Sequence, residues 1–318
     1  MISLLSYGEV LVDFLPNTTE LHSFIPLAGG APANVAVAFA KLGGDSYFAG
    51  GISRDNFGSM LMEQLKNEEV NTLYTRVVDA NTAIVIVSID NTGERSFNFY
   101  RQHTADTQYD RSSIDNINWQ EIGVFHFCSN TLTDEKMYQN TLYAIKQAEA
   151  SDTVVSFDVN LRQQLWGDLN MLPSRVETCI KKSDIVKLSK DEASYLANLN
   201  KLTIQQYVSQ LLSFDVQLVL ITDGPNAIQV INSTYSSVYD VPQINPVDTT
   251  GAGDSFFAGF LYYLTRLSSS KNISLIQAIN EEEATSLSVK FASQCGALTC
   301  QKKGAFTALP TISELENI

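Results

Sequence analysis

The 318-residue chain carries 21 basic and 35 acidic residues, a net charge of −14, and is 44% hydrophobic and 18% charged. That composition is globular, not disordered. So acidic a surface repels phosphate backbones and anionic lipid, which excludes nucleic acid and membranes as expected partners. No apolar run reaches the roughly 18 residues of a membrane span.

A local anion site stays open, because backbone dipoles can build one inside an acidic protein. The four cysteines, Cys128, Cys179, Cys295 and Cys300, make no Cys-x-x-Cys pair. The first ten residues have no basic stretch and reach Glu9 early, unlike a signal peptide. A cytoplasmic protein with reduced thiols is the expectation.

In chain order, Leu4–Leu11 reads as a buried strand and Ala33–Lys41 as a helix closed by Gly43-Gly44. Tyr47–Ile52 is a strand and Asn56–Asn67 a helix. Thr82–Asp90 and Arg95–Tyr100 flank Asn91-Thr-Gly93, a hairpin signal with turn residues at its centre. Val124–Cys128 is a strand and Asp134–Ala150 a helix. Val154–Asp158, Ile185–Leu188 and Leu218–Thr222 are short β-branched runs with helical stretches between them. Asp254–Arg266 and Glu281–Cys295 close the pattern as long helices. Alternation of this kind predicts an α/β fold with a mostly parallel central sheet and helices on both faces. The hairpin breaks the rhythm and reads as an inserted lid within a single domain, 1–318.

The sharpest chemical signal is Val247-Asp-Thr-Thr-Gly-Ala-Gly-Asp-Ser-Phe256. Gly251, Ala252 and Gly253 precede an apolar helical stretch, so their N–H groups lie unpaired at a helix start, where anions bind. Asp254 then falls in the first turn. A carboxylate there repels phosphate, but it makes sense as acceptor of a proton from an incoming hydroxyl; an N-terminal cap explains it equally. The third glycine of a dinucleotide fingerprint is absent, and no glycine precedes a lysine as in a P-loop. A second signal is Leu27-Ala-Gly-Gly-Ala-Pro-Ala-Asn-Val-Ala36. Gly29 and Gly30 allow close backbone approach, and Asn34 offers a donor and an acceptor to a sugar hydroxyl, or caps the helix locally. Asp13 ends the first predicted strand, and Asp158, Asn160 and Arg162 follow a later one, the ends at which ligands bind in open α/β sheets.

Together these residues resemble the PfkB, or ribokinase-like, carbohydrate kinases over nearly the whole chain. Within that family they are most similar to the fructokinases: Gly8-Glu9 with Asp13, Gly29-Gly30 with Asn34, Gly93–Phe97 running into Phe99-Tyr-Arg101, and Phe157-Asp-Val-Asn-Leu-Arg162. The resemblance implies a ribokinase-like three-layer fold with a discontinuous β-lid from about 12–33 and 81–107. It implies transfer of the ATP γ-phosphoryl to a hydroxyl of fructose, with aminoimidazole riboside, ribose or 2-keto-3-deoxygluconate as alternative acceptors and a non-catalytic sugar-binding protein as the further rival. It makes Asp254 the base, Gly251, Ala252 and Gly253 the anion hole, and Arg162 the γ-phosphate contact. Asp13, Gly29, Gly30, Asn34 and Arg101 would hold the sugar. Lys187, Ser189, Thr222, Gly224, Gly253 and Ser293 would serve the nucleotide. Glu192 would organise Mg²⁺ through water, and Asp248 with Thr250 a monovalent cation, commonly K⁺. The lid would pair two copies as a homodimer. Ser189 and Ser293 stand where the family usually has Asn, and Ala227 where it has Gly, which bears on nucleotide affinity.

Overall fold

The computed structural model describes residues 2–17, 23–89 and 95–316. The main sheet has nine strands: β1 (Leu4–Tyr7), β4 (Ser46–Ser53), β5 (Thr75–Val78), β8 (Val124–Cys128), β9 (Val154–Asp158), β10 (Ile185–Ser189), β11 (Leu218–Asp223), β12 (Asn226–Ile231) and β13 (Ser236–Tyr239). Their order is β13-β12-β11-β10-β9-β8-β1-β4-β5. All neighbours pair in parallel except β11 with β12 and β12 with β13. A second sheet, ordered β3-β2-β6-β7, joins β2 (Leu11–Pro16), β3 (Phe24–Gly29), β6 (Ile84–Ile89) and β7 (Arg95–Tyr100).

Successive side chains of a strand face opposite ways, and here both faces are covered. Leu4, Val124, Val154, Ile185 and Leu218 enter one buried cluster, and their neighbours Leu5, Phe125, Val155, Val186 and Val219 enter the other. The first face is covered by α1 (Ala31–Lys41), α2 (Asn56–Asn67), α8 (Ala252–Lys271), α9 (Leu275–Asn280), α10 (Glu282–Thr299) and the short α11 (Ile312–Leu315). The second is covered by α3 (Arg111–Asp115), α4 (Glu135–Glu149), α5 (Leu172–Ile180), α6 (Lys190–Leu199) and α7 (Ile204–Leu212). The three-layer, mostly parallel architecture expected from the sequence is therefore present, with the small second sheet beside it.

Two expectations need correction. Leu4–Leu11 is not one strand. The chain leaves the main sheet after Tyr7 and enters the small sheet at Leu11. Gly8 makes the break, at φ 147, with Pro32 at the start of α1 packed so closely that a Cβ on Gly8 would fall 2.6 Å from its ring. Asp13 consequently sits inside β2 opposite Leu27, not at the end of the first main-sheet strand. The hairpin strands β6 and β7 do pair antiparallel, but the Asn91-Thr-Gly93 turn lies outside the described residues. The base of β6 is tied to the main body by Asp55, the cap of α2, which accepts from Gly58 N, Thr82 N and Thr82 Oγ1.

Candidate active site

The carboxyl ends of β1, β8, β9 and β10 converge with the starts of α1 and α8 on a cleft of about 360 Å³, where ligands of open α/β sheets bind. Phe97 and Phe99 of the small sheet line the same cleft. α8 begins at Gly251, which holds the left-handed conformation at φ 74, and no side chain caps this helix. Ala252 N donates to the Thr249 carbonyl at 3.3 Å, while the N–H groups of Gly251 and Gly253 have no backbone partner among the described residues and can meet an anion from the cleft. Lys187 is packed against this start: a Cβ on Gly253 would fall 3.4 Å from its Nζ. The ammonium is held from behind by both oxygens of Asp158, at 3.0 and 2.8 Å, in an ion pair whose side chains are 7% and 2% exposed. The parallel register of β9 and β10 sets Lys187 opposite Asp158. Burial pulls the Lys187 ammonium down, but Asp158, Glu192 and Asp254 together push it above its ordinary value, so it stays charged.

Asp254 lies in the first turn of α8 and accepts from Asn34 Nδ2 at 2.7 Å. Burial pushes its carboxyl up, while Asn34, Lys187 and Arg162 pull it back. Gly30 brings α1 to this place: it holds φ 109, and a Cβ there would fall 2.6 Å from the Glu9 carbonyl oxygen. Gly29 is equally constrained, because a Cβ there would collide with the Asp13 carboxylate. Across the cleft the amide oxygens of Asn34 and Asn130 are buried and have no hydrogen-bond partner among the described residues. The cleft thus gathers the carboxylates of Glu9, Asp13, Asp158 and Asp254 and two unpartnered amide oxygens beside an anion-attracting helix start. Such a surface accepts hydroxyl donors at one end and a transferring anion at the other.

The model for the pfkB family of carbohydrate kinases matches residues 1–312. The chain belongs to that family. It is 35% identical over 309 residues to the fructokinase of Vibrio alginolyticus, covering 97% of this chain and 96% of the relative. The fructokinase of Xylella fastidiosa with bound ATP superposes at a TM-score of 0.93 and 34% identity, covering 99% of this chain and 97% of that one. A fructokinase double mutant of Vibrio cholerae O395 in fructose, ADP and potassium-bound form superposes at 0.88 and 32% identity, covering 100% and 98%. The protein is accordingly a sugar phosphotransferase with the ribokinase-like fold.

For this pfkB kinase, Asp13, Gly30, Asn34, Arg162, Lys187, Thr250, Gly251, Gly253 and Asp254 all line one cleft. Other residues expected from the sequence lie elsewhere. Ser189 and Glu192 line a neighbouring groove that shares Arg162. There they form a capping box on α6, with Glu192 Oε1 also accepting from Leu161 N at 2.6 Å. Thr222 pairs in register with Ser189, and Gly224 follows at φ 54 with open space around it. Ser293 donates back to Val289 O within α10, so its hydroxyl is engaged inside the helix. Asp248 accepts from Thr250 N at 2.9 Å and Gly304 N at 3.1 Å, which joins the loop before α8 to the chain after α10.

Arg101 does not line the cleft. Its Nε donates to Asp106 Oδ2 at 2.5 Å and its Nη1 to Asn130 O at 2.9 Å. Two cleft residues, Glu9 and Asn130, are not among the site residues expected from the sequence, although each follows a buried strand in the same way that Asn160 follows β9.

Asp13 carries a testable electrostatic load. Burial first, then the charges of Asp254 and Glu9, push its carboxyl up to about 7, with Arg162 opposing. A carboxyl raised from 3.8 destabilises the folded state increasingly as pH climbs from 3.8 to about 7. Asp13→Asn is therefore expected to raise the melting temperature at pH 8. The gain should shrink below about pH 7 and vanish below 3.8, where the parental group is protonated folded or unfolded. Thermal melts across this range check it; an equal gain at every pH would assign the effect to shape instead of charge.

Proposed function

We propose that the protein is an ATP-dependent fructokinase. The observation that carries the reading is Asp254 at the uncapped start of α8, hydrogen-bonded by Asn34 and sharing one cleft with Asn34 and Asn130, whose buried amide oxygens have no partner among the described residues. A polyhydroxylated acceptor satisfies those oxygens, and its reacting hydroxyl gives its proton to Asp254. Bound ATP supplies the phosphoryl group. The N–H groups of Gly251, Ala252 and Gly253, with Lys187 behind them, face the negative charge of the group in transfer. Positioning and charge stabilisation are what phosphoryl transfer mainly asks of a protein. Arg162 lies between the two grooves, as a γ-phosphate contact must.

The relatives solved with ATP, and with fructose, ADP and potassium, support a nucleotide and a monovalent cation here; the residue roles that follow are part of the proposal. The nucleotide runs past Ser189, Thr222 and Gly224, beyond the strand ends. Glu192 serves Mg²⁺ through water: both its oxygens accept backbone N–H groups, so an outer-sphere role suits it better than direct ligation. Asp248 and the Thr250 carbonyl serve a potassium ion. The small sheet acts as a lid that excludes water, which would otherwise take the phosphoryl group. Phe24, Ile25 and Tyr100 are exposed on it, an apolar surface suited to pairing two copies.

The test is ADP formation by purified protein with ATP, Mg²⁺ and K⁺, offered fructose, glucose, ribose, 2-keto-3-deoxygluconate or aminoimidazole riboside, with the same sample sized by light scattering. Fructose is expected to give the highest kcat/KM, from a dimer. A higher value for another acceptor would reassign the substrate, and no turnover with any would contradict the reading.

A further inference from the structure

Glu9 is 1% exposed, directly after β1. Its Oε1 accepts from Asn130 Nδ2 at 2.8 Å and from Ala31 N, at the start of α1, at 3.3 Å. Asn130 follows β8 and is 5% exposed. Asn130 lines the cleft, and its buried amide oxygen has no partner among the described residues. Burial pushes the Glu9 carboxyl up, against Arg101 and Asn130, but the oxygen that meets Asn130 also accepts from Ala31 N and so is an acceptor in either protonation state. Glu9 therefore takes the NH₂ side of the Asn130 amide and turns the oxygen away from itself; the flipped amide would set two acceptors against each other in a buried place. The backbone of Asn130 is fixed independently. Its carbonyl accepts from Arg101 Nη1 at 2.9 Å and from Thr133 Oγ1 at 3.0 Å, and Arg101 is itself clamped by Asp106 where the chain leaves β7.

We propose that Glu9 is a positioning residue for the acceptor sugar: it fixes Asn130 as an acceptor-only contact for one sugar hydroxyl, and Arg101 acts on the sugar through the Asn130 backbone instead of touching it. The inference rests on the sugar-kinase reading above and deepens it. It ties four segments far apart in sequence to one hydroxyl: the end of β1, the start of α1, the loop after β8 and the exit of β7 from the small sheet.

The test reverses the donor and acceptor within the pair. In Asn130→Asp two carboxylates face each other, and the KM for fructose should rise about tenfold or more, the worth of one hydrogen bond, with the KM for ATP unchanged. In the double variant Glu9→Gln/Asn130→Asp the net charge returns to the parental value. The amide introduced at position 9 now donates to the carboxylate introduced at position 130, at the loss of the longer 3.3 Å bond from Ala31 N that the same atom accepts in the parent. The fructose KM should then fall at least about threefold below that of Asn130→Asp. A brace without a substrate role would lower the melting temperature of Asn130→Asp and leave its KM alone. That result, or a double variant no better than Asn130→Asp, overturns the assignment. Parental turnover of fructose together with either result removes only the Glu9 assignment, whereas a parent inactive on every acceptor removes the sugar-kinase reading with it.

Discussion

Asp254→Asn is expected to lower kcat by about 10²–10⁴ with the KM for the sugar changed by no more than a few-fold, the range typical of losing a positioned general base. The substitution is nearly isosteric. The amide oxygen it introduces can still accept from Asn34 Nδ2, which holds the parental carboxylate at 2.7 Å, so the shape of the sugar contacts is kept. What disappears is the acceptor for the hydroxyl proton. Burial raises the parental carboxyl, which makes it a better proton acceptor, while Asn34, Lys187 and Arg162 pull it back. The helix start stays intact, since no side chain caps it in the parent. Steady-state kinetics on the purified variant decide the matter. A kcat within threefold of the parent would mean that Asp254 serves as a helix-terminal charge and that another group takes the proton.

Lys187→Met should have two separable effects. Removing one partner of a buried ion pair leaves the other charge uncompensated, at a typical cost of about 3–5 kcal/mol. Here that partner is Asp158, 2% exposed and bonded to Lys187 through both oxygens. Removing the cation beside Gly253 also strips charge stabilisation from the start of α8, on the order of 10²–10³ in kcat by analogy with loss of an anion-hole donor. Asp158→Asn in the same chain removes the orphaned charge. Lys187→Met/Asp158→Asn should therefore regain most of the stability in denaturant titrations and almost none of the rate. Parental rates in the double variant would make the pair purely structural.

The parts of this site legible in the sequence are those whose chemistry is local. Gly251–Asp254 specifies a tight helix start and a carboxylate in its first turn within four residues. Gly29, Gly30 and Asn34 do the same for α1. The layered sheet is legible because the buried strands are short apolar runs, β-branched in β9, β10 and β11. What escapes depends on contacts distant in sequence. Glu9 meets Asn130 across 121 positions, and neither residue announces the other. Arg101 stands in a motif that places it near the sugar, yet Asp106 and the Asn130 carbonyl hold its donors. The run from Leu4 to Leu11 is apolar enough for one strand. Only the packing of Pro32 against Gly8 divides it between two sheets, and that division carries Asp13 out of the main sheet. Strands β12 and β13 escape the pattern because they lie at the sheet edge, where half-exposed positions weaken the hydrophobic signal.

In the proposed reaction this one cleft transfers a phosphoryl group from ATP to fructose with Asp254 as the base. Phosphorus-31 NMR of the protein with ATP, Mg²⁺, K⁺ and fructose tests it most directly, run beside Asp254→Asn. A sugar monophosphate resonance is expected to grow in step with ADP in the parent and to be slowed by at least about a hundredfold in the variant. ADP accompanied by inorganic phosphate without sugar phosphate, or equal rates in the two proteins, would contradict it.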